Sequence, residues 1–527
     1  MLDLQKYNYK EIILVVFISI FSFLINYLVG SNGVYPVDTF IHYDNGYRVL
    51  LGDDPIKDYW IVHGLLIDYL QSLFFYIFGN NWMSYLIHSS LLNVAIAIFS
   101  IYIFSILKIK FEYLVIISIS VSLLAYPVSG SPFLDLHSTF FSLFAFYFII
   151  LWIIKKKNYF WFLVSFFLCL AFFSKQVPAA YFIIAFSILN LIFAMNNKDY
   201  KILFFYILGV FIFLILLLLF LFLREVKLSD LILQIFLFPQ SIGLDRYSNY
   251  ILNFNNTILD FKFIYIILFG IIGLNIFFFR KINNYFISDE FKILIVIIFF
   301  VFSNIFHQIY TKNQIYIFYL IPLLTGFIIF FTNSFNIKKN KILTYSFLFL
   351  CIFATIKYSD RYNLDRKFHE LENVEKSNSI KISSFSKSLK GLNWISPYFT
   401  NPNEELEIMK NLLTILKNDQ KNKMLITEYN FFSSILEENL NSPSRTFDNI
   451  SYPKKNTIYY ENYKKFLINK IISKKIKNLY VFESNEINQK RLEHLIFNYI
   501  SKDCFEIKHI NPFIKKLVLI KCNEFEN

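Results

Sequence analysis

Long apolar runs recur along most of the chain and constrain its fold more than any other feature. They appear between Glu11 and Lys357, and about 20 apolar residues in a helix are enough to cross the hydrocarbon core of a bilayer. In hydrocarbon every backbone polar group needs a partner within the protein, and a helix provides one within a single segment. The sequence therefore predicts an α-helical polytopic membrane protein.

Eleven transmembrane spans are predicted from these runs. No small-residue cleavage site follows the first run, which ends at Gly30-Ser31, so we expect an uncleaved first helix rather than a signal peptide. The spans lie near residues 11–29, 82–107, 111–126, 138–154, 159–173, 177–194, 201–223, 261–279, 291–310, 314–331 and 341–357.

The distribution of cations between the spans predicts their orientation. With a cytoplasmic N-terminus, the short inside segments carry fifteen Lys and Arg residues: Lys6, Lys10, Lys108, Lys110, Lys155, Lys156, Lys157, Lys198, Lys201, Arg280, Lys281, Lys292, Lys338, Lys339 and Lys341. The longer outside loops carry seven: Arg48, Lys57, Lys175, Arg224, Lys227, Arg246 and Lys312. This is the positive-inside asymmetry of plasma (inner) membrane proteins.

The C-terminal residues differ in character, with charges every few positions. We therefore predict a membrane domain over 1–357 and a soluble α/β domain over 358–527, which an odd number of spans places outside the cytoplasm. Strands are expected at Lys423–Glu428 and Asn478–Glu483, helices at Asn403–Lys417, Tyr459–Ser473 and Glu486–Ile500, and a terminal hairpin at 504–510 and 514–521.

Composition excludes several other classes of function. The 66 Phe and 36 Tyr are spread along lipid-length helices rather than clustered for base stacking. In a membrane protein the net charge of +13 bears first on orientation, so no nucleic-acid partner is predicted. No metal-ligand spacing occurs among the Cys and His residues, and no cofactor is expected. Cys504 and Cys522 are predicted to face each other across the terminal hairpin, either as a disulfide or as two free thiols.

Two outside loops concentrate acidic residues beside apolar helices. The loop from Gly30 to about Asn81 holds Asp38, Asp44, Asp53, Asp54, Asp58 and Asp68, and a second loop holds Asp135 and His137. The segment Leu65–Phe78 is predicted to be a helix lying in the membrane interface. Such loops can meet a lipid-borne substrate in the headgroup layer, although isolated acids also serve simply to keep a loop solvated.

The run from Asp38 to Tyr85 resembles the first extracytoplasmic loop of GT-C-fold glycosyltransferases, the superfamily of protein O-mannosyltransferases and lipid A aminoarabinose transferases (glycosyltransferase family 39-like). The shared features are an acid soon after the first span, a helix ending in L-x-G, a Pro turn and an aromatic helix ending in F-G. Here they are Asp38, Leu50-Leu51-Gly52, Asp54-Pro55, Asp58-Tyr59-Trp60 and Phe74–Gly79. Asp135 and the turn at Lys175 also fit, but Asp38-Thr39 replaces the paired acids of those two branches.

The resemblance implies an enzyme that moves a sugar from a polyprenyl-phosphate donor to a glycan, lipid or protein acceptor outside the cytoplasm. It implies Asp38 as the general base, with Asp58 and Asp135 as further catalytic candidates, and no metal. The candidate substrate-binding residues are His42, Asp44, Arg48, Lys57, His63, Lys175 and His307. The alternatives are a transporter or flippase of a lipid-linked glycan, and a non-catalytic membrane protein whose tail binds a partner.

Overall fold

The computed structural model describes residues 9–248, 253–278, 285–311, 316–335, 340–447, 451–483, 491–522 and 525. In chain order its helices are α1 Tyr9–Gly30, α2 Pro36–Thr39, α3 Ile41–Leu50, α4 Leu66–Phe78, α5 Trp82–Ile106, α6 Phe111–Leu124, α7 Leu134–Lys155, α8 Phe160–Ser174, α9 Gln176–Asn197, α10 Lys201–Leu223, α11 Leu228–Leu231, α12 Phe238–Ser248, α13 Lys262–Phe278, α14 Asp289–Thr311, α15 Leu320–Ser334, α16 Asn340–Ser359, α17 Pro402–Asn418, α18 Phe432–Leu436, α19 Tyr460–Ser473 and α20 Arg491–Tyr499. The strands are β1 Ile380–Lys381, β2 Asn393–Trp394, β3 Lys423–Thr427, β4 Asn478–Phe482, β5 Phe505–His509 and β6 Ile514–Leu519.

The predicted membrane class is confirmed, and each predicted span corresponds to a helix. Within the described ranges, eight helices are long and apolar enough to cross a membrane. The other three predicted spans are the shorter helices α8, α13 and α15, which have 15, 17 and 15 residues. The orientation of the helices is a separate matter and stays a prediction.

The chain folds as two compact units, and these differ from the predicted division at residue 357. Unit 1 comprises Met1–Gly30, Leu86–Leu218 and Arg246–Phe368, and unit 2 comprises Ser31–Tyr85, Leu219–Asp245 and His369–Asn527. The first predicted outside loop therefore belongs with the C-terminal residues. The reason is backbone pairing: the Trp60 amide donates to the Pro443 carbonyl at 2.8 Å, and the Arg445 amide donates to the Trp60 carbonyl at 3.0 Å.

In unit 1 the position of each helix follows its polar content. Helix α7 carries Asp, His, Ser and Thr residues in its first turns and is buried along almost its whole length. Helix α10, which consists almost entirely of Leu, Phe and Ile, keeps most of its side chains exposed at the surface of unit 1. An apolar surface helix of this kind matches a hydrocarbon solvent, whereas in water it would have to be buried.

Side-chain amides connect α1, α5 and α6 inside unit 1. Asn26 donates to Ser89 and Ser90 at 3.0 Å each, and Asn93 donates to the carbonyls of Ser22 and Ser122 at 3.0 Å each. Small and amide residues of this kind hold helices together in a membrane, because hydrocarbon offers a polar group no other partner. These contacts fix the C-terminal half of α1 relative to α5 and α6.

Unit 2 contains a four-stranded sheet in the order β3-β4-β6-β5. Strands β3 and β4 are parallel, whereas β6 is antiparallel to both β4 and β5. Every residue of β3 and β4 is buried, as expected for strands covered on both faces of the sheet. The predicted strands, the hairpin and the helices α17 and α19 occur within one or two residues of their expected bounds. The start of the predicted helix Glu486–Ile500 is not compared, because 484–490 lie outside the described residues.

The terminal hairpin is shifted from its predicted register. Phe505 pairs with Leu519, so the residue opposite Cys504 is Ile520 rather than Cys522. Cys504 and Cys522 are nevertheless bonded through sulfur, with their Cα atoms 5.1 Å apart. Both cysteines lie beyond the strand ends, where the chain is free of the ladder and the diagonal pair can meet.

Helix α4 has its polar and apolar faces reversed relative to a helix in water. Asp68 and Gln71 are fully buried in unit 2, whereas Tyr76 and Ile77 are 77% and 58% exposed. A helix that turns its acid inward and its aromatic and aliphatic side chains outward matches the predicted interfacial helix.

Candidate functional site

A buried acid with a cation and two further polar partners lies in unit 1. Lys175 Nζ donates to Oδ2 of Asp135 at 2.5 Å. Tyr316 donates its hydroxyl to Oδ1 of Asp135 at 3.1 Å, and His307 Nε2 lies 3.3 Å from the same oxygen and 2.8 Å from the Tyr316 hydroxyl. We refer to Asp135, Lys175, His307 and Tyr316 as the Asp135 cluster.

Four helix ends bring the Asp135 cluster together. Asp135 lies in the first turn of α7, Lys175 joins α8 to α9, His307 lies in the last turns of α14, and Tyr316 precedes α15. These are the helix ends that the cation distribution predicts to be outside. The predicted span 138–154 began too late: Asp135 and His137 belong to α7, because an acid in the first turn is stabilised by the helix dipole and extends the helix.

The charges of the Asp135 cluster are unevenly accessible. The Asp135 and His307 side chains are 4% and 1% exposed, whereas Lys175 is 17% exposed. Among the described residues, Asp135 is the only acceptor that the Lys175 ammonium contacts. An ammonium has three protons to donate, so Lys175 is a cation held in place by a buried carboxylate with donor capacity to spare.

A second polar chain in unit 1 was missed by the sequence analysis. His88 and His137 approach through their Nε2 atoms at 3.0 Å, and Nδ1 of His137 lies 2.7 Å from the Tyr126 hydroxyl. His88 lies six residues after the start of the predicted span 82–107, which is otherwise mostly apolar. The only signal in the sequence was therefore a polar residue within a membrane helix.

The Asp38 side chain is half-buried in unit 2, beside two tyrosines. Helix α2 begins at Pro36, and the ring of the preceding Tyr35 packs edge-on against that of Tyr398, with centroids 5.7 Å apart. Burial, followed by the charges of Glu370 and Asp38, raises the pKa of Tyr35 to about 12. Tyr35 is therefore a neutral hydroxyl-bearing ring next to the Asp38 carboxylate at physiological pH.

His42 does not pair with Asp38, although residues four positions apart in one helix would share a face. The helix breaks at Phe40 between α2 and α3, so positions 38 and 42 do not share a face. Instead His42 Nδ1 donates to Asp68 Oδ1 at 2.6 Å. Burial lowers the pKa of His42 more than Asp68 raises it, which keeps the ring neutral.

Asp68 anchors a buried network that includes the C-terminal part of unit 2. Its Oδ2 accepts from Arg445 at 2.7 Å and from the Tyr59 hydroxyl at 2.8 Å. Burial alone would raise the pKa of Asp68, but Arg445 and His42 outweigh it and the net shift is downward. From the sequence, Asp68 was predicted only to lie on the polar face of an interfacial helix.

Asp44, Arg48 and Asp58 make contacts that explain them structurally. Arg48 donates from Nε and Nη2 to Asp53 Oδ2 at 3.2 and 3.1 Å, and Asp44 accepts from the Ser433 hydroxyl at 2.9 Å. Asp58 accepts from the backbone amide of Asp54 at 2.9 Å and closes the turn at Pro55.

The two remaining candidates lie elsewhere in unit 2. Lys57 is solvent-exposed and lies 3.4 Å from Glu225. His63 is half-buried, and its backbone carbonyl lies 3.5 Å from Arg445 Nη1. Among the residues that the structure describes, no group of three or more His, Cys, Asp or Glu side chains is placed to hold a metal ion.

The sequence matches no protein-family profile, and no curated protein matches it closely. Among solved structures it is similar to the crystal structure of ArnT from Cupriavidus metallidurans bound to undecaprenyl phosphate. The identity is 9% and the TM-score 0.49, with 96% of this chain and 97% of that chain covered. The likeness concerns the course of the chain alone.

Proposed function

We propose that this chain is an integral-membrane glycosyltransferase that takes a sugar from a polyprenyl-phosphate donor and passes it to an acceptor outside the cytoplasm. The observation that carries the proposal is the Asp135 cluster, a buried ion pair at the converging ends of membrane helices. Ionisable residues at such positions are costly and are usually functional. A cation at the ends of membrane helices is suited to bind a phosphate group carried by a lipid.

Lys175 is the proposed phosphate ligand, because its accessibility and free donor capacity distinguish it from the other candidate cations. Arg48 is fully buried against Asp53, and Lys57 lies at an exposed surface beside Glu225. Asp135 holds the Lys175 ammonium in place, and His307 and Tyr316 in turn hold Asp135 in position. A fixed cation stabilises the phosphate as negative charge develops on it during transfer.

The proposed reaction is a displacement at the anomeric carbon of the sugar. An acceptor hydroxyl oxygen forms the new bond to that carbon, the bond from the carbon to the phosphate oxygen breaks, and polyprenyl phosphate leaves as an anion. The acceptor's proton passes to a carboxylate acting as general base. Asp38 remains the proposed base on the strength of its place in the resembling loop, its partial exposure and the neutral Tyr35 hydroxyl nearby.

The proposed orientation places the N-terminus in the cytoplasm and residues 358–527 outside. It rests on the cation asymmetry and requires α8, α13 and α15 all to cross the membrane. A reporter fused at the C-terminal Asn527 should then be active only as an extracytoplasmic enzyme such as alkaline phosphatase. Activity there of a reporter that works only in the cytoplasm would show that an even number of helices crosses.

The proposed donor site is tested by binding of polyprenyl phosphate to the purified protein in detergent. Lys175→Met should weaken binding by at least about tenfold, the scale of one lost charge-assisted hydrogen bond. Because Lys175→Met leaves Asp135 buried without its cation, the Asp135→Asn/Lys175→Met double variant serves as the control for folding. Wild-type affinity in a folded double variant would exclude Lys175 as the phosphate ligand.

A further inference from the structure

A groove of about 570 Å³ runs between α6 and α16 in unit 1. No residue of the Asp135 cluster lines it, and the chemistry of its walls is different. Its lining is a mixture of charged, aromatic and aliphatic side chains: Lys110, Glu112, Tyr113, Ile116, Lys341, Tyr345, Leu348, Phe349 and Ile352. Nothing in the proposed transfer reaction uses these residues.

One end of the groove is cationic. Lys110 and Lys341 are both exposed, and neither forms an ion pair with a described residue. They lie where α6 and α16 begin, so the positive ends of two helix dipoles point to the same region. An anion placed between the two ammonium groups would meet two full positive charges and two partial ones, against the single negative charge of Glu112 in the first turn of α6.

The walls become less polar along both helices in the same direction. Tyr113 and Tyr345 come next to the lysines, with ring centroids 6.3 Å apart and nearly perpendicular. Aliphatic and aromatic hydrocarbon follows, to Ile116 on α6 and Ile352 on α16. At 1.5 Å per residue these apolar ends lie about 9 and about 16 Å beyond the lysines along the helix axes.

This order of cation, tyrosine and hydrocarbon matches the layers of one membrane leaflet. Lysines reach headgroup phosphates, tyrosines favour the interface, and exposed apolar side chains such as Phe349, which is 72% exposed, favour acyl chains. Basic pockets between transmembrane helices are known places for anionic lipid headgroups. Lys110 and Lys341 also belong to the segments that the cation asymmetry predicts to be cytoplasmic.

We propose that this groove binds one anionic glycerophospholipid of the cytoplasmic leaflet. Its phosphate lies between Lys110 and Lys341, and an acyl chain follows the apolar wall past Leu348. Glu112 accepts a hydrogen bond from a headgroup hydroxyl, which favours a glycerol headgroup over a choline or a bare phosphate. The groove is a lipid site separate from the proposed donor site, which is predicted to be at the opposite face of the membrane.

The test is native mass spectrometry of the purified full-length protein titrated with phosphatidylglycerol. Lys110→Gln/Lys341→Gln should weaken the binding of the first phosphatidylglycerol about 30-fold, from roughly fivefold for each lysine. The matched control is Lys157→Gln/Lys198→Gln, which removes the same charge from exposed lysines predicted on the same face and should leave affinity unchanged. Equal loss in both double variants would mean general charge attraction and would overturn the site.

Three further arms identify what occupies the groove. Ile116→Trp, which fills the apolar wall and leaves both lysines, should also weaken phosphatidylglycerol binding; an unchanged affinity would show that no acyl chain lies there. Phosphatidylcholine should bind far more weakly than phosphatidylglycerol. Inorganic phosphate or polyprenyl phosphate displacing phosphatidylglycerol at equal concentration would contradict the proposal, the first by indicating a free-phosphate site and the second a donor site.

Discussion

Arg445→Met should destabilise unit 2 strongly, because Arg445 is the cation that compensates the buried carboxylate of Asp68. Both side chains are at most 2% exposed, and the guanidinium also donates to the Gly64 carbonyl at 2.9 Å. Removing one partner of a buried ion pair costs about 3–5 kcal/mol. His42 and Tyr59 still donate to Asp68 in the variant, so we expect the lower half of that range.

A loss of about 3–4 kcal/mol corresponds to a drop in melting temperature of about 6–16 °C, at about 2–4 °C for each kcal/mol in a unit of this size. Tryptophan fluorescence in detergent reports it, because Trp60 and Trp394 are buried in unit 2. Lys410→Met, which removes an exposed cation from α17, is the matched control and should change the melting temperature by no more than about 1–2 °C.

The double variant Asp68→Asn/Arg445→Met separates charge compensation from packing. It contains neither buried charge, so its loss of stability should be smaller than the sum of the two single losses by at least about 1 kcal/mol. Strictly additive losses, or an Arg445→Met protein as stable as the Lys410→Met control, would refute the buried pair. The packing of residues 31–85 with the C-terminal segment would then lose its strongest support.

Three further outcomes are expected. Asp38→Asn should reduce sugar transfer about 10²–10⁴-fold without loss of membrane insertion, as loss of a general base does, whereas Asp230→Asn, also half-buried in unit 2, should retain near-normal transfer; near-normal transfer by Asp38→Asn would make Asp38 structural. Burial raises the pKa of the Glu405 carboxyl from 4.5 to about 7. The folded state therefore binds a proton that the unfolded state releases, and the free energy of unfolding should fall by up to about 3 kcal/mol as the pH rises through that window. Between pH 5 and pH 8 the thermal stability of Glu405→Gln should decrease less than that of the wild type, and equal decreases would contradict the assignment. Cys504 and Cys522 should react with a thiol reagent under denaturing conditions only after reduction, and full labelling without reductant would exclude the disulfide.

The helices and strands were largely predictable because their signals are local. Apolar length gave the spans, and the acids Glu404 and Glu405 in a first turn marked the start of α17. The limit of local signals is seen at α7, where the predicted span begins at 138. An acid such as Asp135 is expected in a loop unless its pairing with Lys175 is known.

The partners of the site residues could not be predicted, because they are distant in the sequence. Asp135 and His307 are 172 positions apart, and Asp68 and Arg445 are 377 apart. No local pattern distinguishes a carboxylate that will be paired in this way from one that solvates a loop. Arg48 and Asp53 are only five positions apart, but α3 ends at Leu50 between them, so helical spacing does not predict their pairing.

The central claim, that this chain makes a glycosidic bond, is tested most directly with the purified protein in detergent micelles. The protein is incubated with lipid-linked sugars and glycolipids extracted from cells that lack it, and the products are analysed by mass spectrometry. A glycosyltransferase should release free polyprenyl phosphate and add the mass of one sugar residue to an acceptor, and Asp38→Asn should form both products about 10²–10⁴-fold more slowly. A flippase moves a lipid between the two leaflets of a membrane, so it forms no product in micelles. Unchanged lipid-linked sugar with no new glycoconjugate would therefore contradict the proposed function.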